Sequence, residues 1–282
     1  MVLPHVKTQE AIIPHTEQRL MRSLDGTREY RIYLSRPTGP QPEGGYPVIY
    51  VLDANSVIGT IVEAARLQTK PPHGYDPVVI VGIGYETDLP FSSQGRFYDY
   101  TMQTDRSQLP PRRDGSDWPE TGGAEAFLDF VEQVVKPEVE RSYPIHPNRQ
   151  TLLGHSLGGL FTLYTMFTRT HLFQSYVAGS PSIWWNRRNV VEHAKRYMEE
   201  AVVNEPAAAK VNLLIALGEH ELPDMLAEGE EMTRRLAPLR EAGFKLEFKV
   251  FEGEGHVSVL PPLINRALRF ALGGNKTGSR RI

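Results

Sequence analysis

The chain contains no cysteine. Disulfides, thiolate metal ligands and a cysteine nucleophile are therefore all excluded. It also lacks any run approaching the 18 or so consecutive apolar residues of a membrane span. An excess of one charge is missing too. Against 31 Lys and Arg stand 34 Asp and Glu, a net charge of −3 mixed along 282 residues. That balance argues against nucleic acid or an anionic membrane as the main partner. The opening MVLPHVKTQEAIIPHTEQRL has neither an apolar h-region nor a small-residue cleavage site. The expectation is a chain without a signal peptide that works in the cytoplasm. No internal repeat is present.

Hydrophobic residues make up 40% and charged residues 23%. That is enough apolar material for one large core, so residues 1–282 read as a single α/β domain. REYRIYLSRP (28–37) alternates as a half-buried strand does, whereas PVIYVLD (47–53) and PVVIVGIG (77–84) are solid apolar runs. TLLGH (151–155), SYVAGS (175–180), VNLLIALG (211–218) and KLEFKVFEG (245–253) continue the series. Strands without alternation are buried on both faces, the mark of a parallel central sheet. Between them lie helical patterns. GAEAFLDFVEQVVKPEVERSY spaces its apolar residues by three and four, with Pro137 predicting a kink or break. LGGLFTLYTMF is apolar nearly throughout and predicts a buried helix. DMLAEGEEMTRRLAPLREAG and VLPPLINRALRFAL are amphipathic. Strands alternating with helices predict a doubly wound, mostly parallel sheet with helices on both faces. Residues 86–123, rich in Pro, Gly, Ser and charge, form a flap or insertion loop expected beside the site. Residues 273–282 read as a flexible tail whose Asn275-Lys276-Thr277 sequon is a chance match.

Gly154-His155-Ser156-Leu157-Gly158 sits where a predicted strand meets a predicted helix. That is the context of a nucleophile elbow, in which glycines permit a sharp turn and the serine hydroxyl projects at a helix N-terminus. A serine hydroxyl needs a histidine base, and the histidine needs a carboxylate to fix its tautomer. With the chain order Ser, acid, His, the base is His256 in FEGEGHVSVL, after the last predicted strand. His220 is its rival. The acid belongs after VNLLIALG, where Glu219, Glu221 and Asp224 all lie; Glu221, three residues past Gly218, is preferred. Glu254 reads as solvated. The oxyanion of the tetrahedral intermediate needs two backbone N–H groups. Leu157 supplies one, and Asn55 or Ala54 in VLDANSV the other; the Asn55 side chain could instead cap the helix that follows.

YPVIYVLDANSV, GRFYDYT, LLGHSLGGLFTLY, GSPSIWW, LLIALGEHE and FEGEGHVSVLP together resemble the esterase branch of the α/β-hydrolases that includes ferric-enterobactin and bacillibactin esterases, esterase D and the mycolyltransferases. The resemblance runs from about residue 14 to 272, and SPSIWW with RFYDYT is most similar to the siderophore trilactone esterases. It implies an α/β-hydrolase fold with Ser156 as nucleophile, His256 as base, and the Leu157 and Asn55 amides as oxyanion hole. It further implies Arg96 and Trp184 or Trp185 as substrate-binding residues. Arg96 would face an anionic catecholate or else pair with Asp99. The tryptophans would stack on catechol rings or pack the core. Where much of the branch reads LLDG, this chain has Leu52-Asp53-Ala54, and some relatives work with a Ser–His dyad. The reaction implied is hydrolysis of a carboxylic ester through an acyl-enzyme, with no metal or organic cofactor and with any iron arriving on the substrate. Alternatives are a general carboxylesterase for acetyl, feruloyl or xenobiotic esters, an acyltransferase, and a catalytically silent binding protein on the same fold.

Overall fold

A computed structural model describes residues 9–70, 74–109, 111–112, 115–203 and 211–273. Eight strands form one sheet: β1 (Thr16–Arg22), β2 (Glu29–Ser35), β3 (Tyr46–Leu52), β4 (Val79–Tyr85), β5 (Ile145–His155), β6 (Ser175–Gly179), β7 (Asn212–Gly218) and β8 (Lys245–Phe251). Their order is β1-β2-β4-β3-β5-β6-β7-β8. β1 and β2 pair antiparallel, as do β2 and β4, and every pairing from β4 to β8 is parallel. Seven strands coincide with the apolar runs of the sequence. β1 was not anticipated: TEQRLMR is polar and largely exposed, as an edge strand that pairs on one side can be.

Helix α1 (Ala54–Gln68) follows β3, and α2 (Ser93–Asp99) lies in the long segment after β4. Then come α3 (Ala124–Phe130), α4 (Lys136–Ser142), α5 (Leu157–Thr168), α6 (Trp185–Arg188), α7 (Val190–Val203), α8 (Pro223–Leu236) and α9 (Leu260–Leu272). α1 and α9 cover one face of the sheet, burying Ile58, Ile61, Leu263 and Leu268 against Ile49, Val51 and Val177. α3, α5, α7 and α8 cover the other, where Phe127, Leu160 and Phe161 meet Tyr50, Leu52 and Tyr176. Each fully buried side chain of this size contributes about 1.5–3 kcal/mol. Apolar residues on both faces of the central strands therefore dictate two helical layers. α5 is buried along its length except at Tyr164 and Thr168, as its composition predicts. Pro137 does not break its helix. A π turn over Val131–Val135 joins α3 to α4, loosening the backbone just ahead of the missing N–H.

The described part of the segment expected as a flap packs in part against the main core. Ser92 caps α2 by accepting from Gly95 N at 3.2 Å, and a short 3₁₀ turn covers Arg106–Gln108. Tyr100, Met102 and Leu109 are buried in the main core, with Phe97 and Trp118 packed against it. The predicted tail, including the Asn275 sequon, lies outside the described residues beyond Gly273.

Candidate active site

Ser156 closes β5 and opens α5 with φ 60° and ψ −119°. A positive φ at a residue with a Cβ costs about 1–3 kcal/mol, so surrounding bonds must enforce it. Ser156 N donates to Gly179 O at 2.9 Å, while Ser156 O accepts from Leu160 N at 2.9 Å and Ser182 N at 3.1 Å. The turn also needs glycine for close approach. A Cβ on Gly154 would collide with the Gly158 carbonyl and stand 2.7 Å from Thr162 Oγ1. A Cβ on Gly159 would stand 2.6 Å from Gly179 O. At Gly158 the nearest atoms would be 3.5 Å away, so the second glycine the turn requires is Gly159, one residue past the pentapeptide.

The β8–α9 loop carries His256 and the β7–α8 loop carries Glu221, so parallel strands deliver both to the end of the sheet where Ser156 stands. His256 Nε2 lies 3.1 Å from Ser156 Oγ, and His256 Nδ1 lies 2.8 Å from Glu221 Oε2. The Glu221 side chain is 1% exposed and that of His256 39%. Burial works to raise the Glu221 pKa, but hydrogen bonding to His256 and to the Ser180 hydroxyl outweighs it and leaves the carboxyl below its ordinary value. The arrangement can therefore hold an anionic acid against the imidazole. The other acids lie apart: Asp224 is exposed at the start of α8, and Glu219 Oε2 accepts from Gly253 N at 2.9 Å. His220 is exposed. His155, by contrast, is buried, and its ring centroid is 4.7 Å from that of His256. Burial first, then the neighbouring His256 and Arg96, push its pKa down to about 3, so it stays neutral.

Asp53, at the cap of α1, also takes the left-handed conformation, with φ 51°. Arg96 grips its carboxylate with two bonds, Nε to Oδ1 at 3.2 Å and Nη2 to Oδ2 at 3.0 Å. The expected Arg96–Asp99 pair does not form, because Asp99 turns inward on α2 and accepts from the Tyr30 hydroxyl at 3.0 Å. Burial pushes Asp99 up to about 7. The Asn55 side chain does not cap α1. Its Nδ2 donates to Tyr85 O at 2.9 Å and Thr87 O at 2.8 Å, and its Oδ1 accepts from Tyr85 N at 2.8 Å. It thereby pins the start of α1 to the end of β4, where a Cβ on Gly84 would strike Asn55 Oδ1. The first N–H groups of α1 and α5 have no intrahelical acceptor, and the two helix starts adjoin: a Cβ on Gly158 would be 3.5 Å from Asp53 Oδ2.

Trp185 is fully buried, its ring 5.2 Å from Trp118 and 5.9 Å from Phe97. It packs the core instead of presenting a face to a ligand. Trp184 is half-buried, 6.5 Å from Trp118. Sequence reasoning missed Ser182, whose Oγ is 3.4 Å from Ser156 Oγ, and the clamp on Asp53. Neither has a spacing signal, since both depend on loops that meet only in the fold. A cavity of about 10 Å³, about the size of one water, is lined by Asp53, Ser56, Phe91, His155 and Leu263.

Sheet order, elbow and the positions of Ser156, Glu221 and His256 define an α/β-hydrolase fold. The family model described as "Putative esterase" matches residues 22–259, and the chain belongs to that family. It is 51% identical over 265 residues to the ferri-bacillibactin esterase BesA of Bacillus subtilis, covering 92% of this chain and 90% of that protein. It is 33% identical to the siderophore enterobactin esterase of Emericella nidulans, covering 79% and 80%. Among solved structures, the BES protein of Bacillus cereus superposes with a TM-score of 0.88 at 39% identity, covering 95% of this chain and 99% of that one. The enterobactin hydrolase IroE in complex with DFP gives 0.71 at 27%, covering 90% and 93%. Among the described residues no helix is long and apolar enough to cross a membrane.

Proposed function

We propose that the chain is a serine esterase that cleaves the ester bonds of a catecholate siderophore trilactone and so frees its iron. The observation that carries the reaction is the unbroken hydrogen-bond chain from Ser156 Oγ through His256 to Glu221. Glu221 keeps the His256 proton on Nδ1, which leaves the Nε2 lone pair toward Ser156. As Ser156 attacks the ester carbonyl, its proton passes to Nε2 and Glu221 steadies the imidazolium. The carbonyl oxygen, now anionic, is met by the N–H groups of Leu157 and Asn55 at the two helix starts; one such donor contributes about 3–4 kcal/mol to the transition state. Collapse expels the alcohol, which takes the proton from Nε2. Water then repeats the sequence and releases the acid. Every proton and electron pair in these steps comes from the named groups, the ester and water.

The substrate class is drawn from the relatives, which are named for ferri-bacillibactin and for enterobactin. Trp184, backed by Trp118, offers partly exposed aromatic surface two residues from Ser182, which touches the Ser156 turn. Arg96, already neutralised by Asp53, acts by holding the α1 start rather than as a free cation for the ligand. We extend the reading to a cytoplasmic site of action, which fractionation with an antibody against the chain tests. Mass spectrometry of the quenched reaction tests the chemistry. An acyl group is expected on the peptide containing Ser156, and its appearance on another residue overturns the reading.

A further inference from the structure

His155 brings to the Glu221–His256 pair a third group that the esterase chemistry does not use. A ring nitrogen of His155, a carboxylate oxygen of Glu221 and a ring nitrogen of His256 lie within 4.8 Å of one another. One buried atom of this cluster, His155 Nε2, forms no well-aligned hydrogen bond. His155 is only 8% exposed. An orphaned buried polar atom carries a desolvation cost of about 1–3 kcal/mol, which a ligand would remove.

We propose that His155, Glu221 and His256 form an inhibitory site for a divalent transition metal, with zinc the simplest occupant. Two neutral imidazoles and one carboxylate suit such ions, whereas magnesium and calcium favour sites built wholly of oxygen. Ligand atoms on a tetrahedral zinc stand about 3.4 Å apart, given bond lengths of about 2.0–2.2 Å. The three atoms need to close by little more than about 1 Å, within reach of side-chain rotation. The fourth position is left to water.

Inhibition follows from proton placement and rests on the reading of His256 as base. Zinc takes the Nδ1 lone pair, so the proton formerly on Nδ1 moves to Nε2 through solvent. The imidazole stays neutral overall, but Nε2–H can no longer accept the Ser156 proton. Glu221 is also drawn from Nδ1 to the metal. One N–H bond breaks at Nδ1 and one forms at Nε2, with solvent carrying the proton and no net change in protonation, and removal of the metal restores the original tautomer.

The test uses the intact chain and Zn²⁺ alone as probe, titrated against turnover of a simple ester, with Mg²⁺ as control. Reversible inhibition by zinc, relieved by chelator and absent with magnesium, is expected. His155→Gln, which leaves Ser156, His256 and Glu221 in place, should keep turnover and raise the inhibitory zinc concentration at least about tenfold. Equal inhibition of this variant and the parent overturns the proposal. Calorimetric titration of Ser156→Ala reads the site without catalysis. One zinc per chain, lost in Ser156→Ala combined with His155→Gln, supports it even if the base assignment fails, and no binding to Ser156→Ala overturns it. Should His155→Gln not fold, anomalous scattering from a zinc-soaked crystal of the parent decides, by metal among the three side chains or elsewhere.

Discussion

Replacing Glu221 by glutamine removes one charge and almost no volume. The side chain is 1% exposed, and its Oε2 lies 2.8 Å from His256 Nδ1. Its carboxyl is held anionic by that bond and by Ser180 despite burial. The amide can neither balance an imidazolium nor enforce the tautomer with Nδ1 protonated. Loss of the acid in a triad of this kind lowers kcat by about 10³–10⁴-fold, equivalent to about 4–5.5 kcal/mol of transition-state stabilisation. KM should change less than about threefold, since a buried side chain behind the histidine makes no contact that binds substrate alone. Steady-state kinetics on a chromogenic ester, with circular dichroism to confirm the fold, reads both effects. A kcat within about tenfold of the parent would refute the triad and leave a Ser–His dyad.

Other consequences test the frame around the site. Arg96→Lys gives up the two-pronged grip on Asp53, and the misplaced α1 start should cost about 10- to 100-fold in kcat. The loss should be the same for simple and anionic esters; a loss confined to the anionic substrate would mean that Arg96 binds ligand directly. Burial pushes the Asp99 carboxyl up to about 7, well above the ordinary carboxylate range. The folded protein therefore holds a proton that the unfolded chain releases, and stability from this group falls as pH rises from about 4 to about 7, by about 4 kcal/mol in all. Asp99→Asn, which keeps an acceptor for Tyr30, should gain on the parent across that interval in urea denaturation; a difference that does not vary with pH contradicts the assignment. Gly154→Ala should destabilise by about 3 kcal/mol or more, because its Cβ meets backbone. Gly158→Ala, with ordinary contacts, should stay within about 1 kcal/mol of the parent. Equal shifts in denaturation midpoint would contradict the geometry of the turn.

Much of the architecture is written in local pattern. Solid apolar runs such as PVIYVLD and VNLLIALG announce strands covered on both faces, and these strands fix where their loops must emerge. Ser156, Glu221 and His256 each lie just past a strand, so chain order alone points to one end of the sheet for all three. β1 escaped because its outward residues are as polar as a loop's, and only its pairing with β2 makes it a strand. α2 escaped because turn-forming residues surround a single seven-residue helix. The partners of Arg96 and Asn55 were not readable either. Asp53 is 43 residues from Arg96, and the carbonyls of Tyr85 and Thr87 are 30 and 32 residues from Asn55. Such contacts exist only once β3 and β4 lie side by side. Trp185 shows the limit of reading composition alone: a tryptophan beside a site motif can face the ligand or the core, and here neighbouring Phe97 and Trp118 draw it inward.

The most direct test of the central claim compares kcat/KM for a ferric catecholate trilactone with that for p-nitrophenyl acetate, using the parent chain and Ser156→Ala. The trilactone should be favoured by orders of magnitude, with iron-bound linear products appearing in step with turnover, and Ser156→Ala should abolish both reactions. Preference for the simple acetyl ester, or trilactone hydrolysis that survives in Ser156→Ala, would contradict the account.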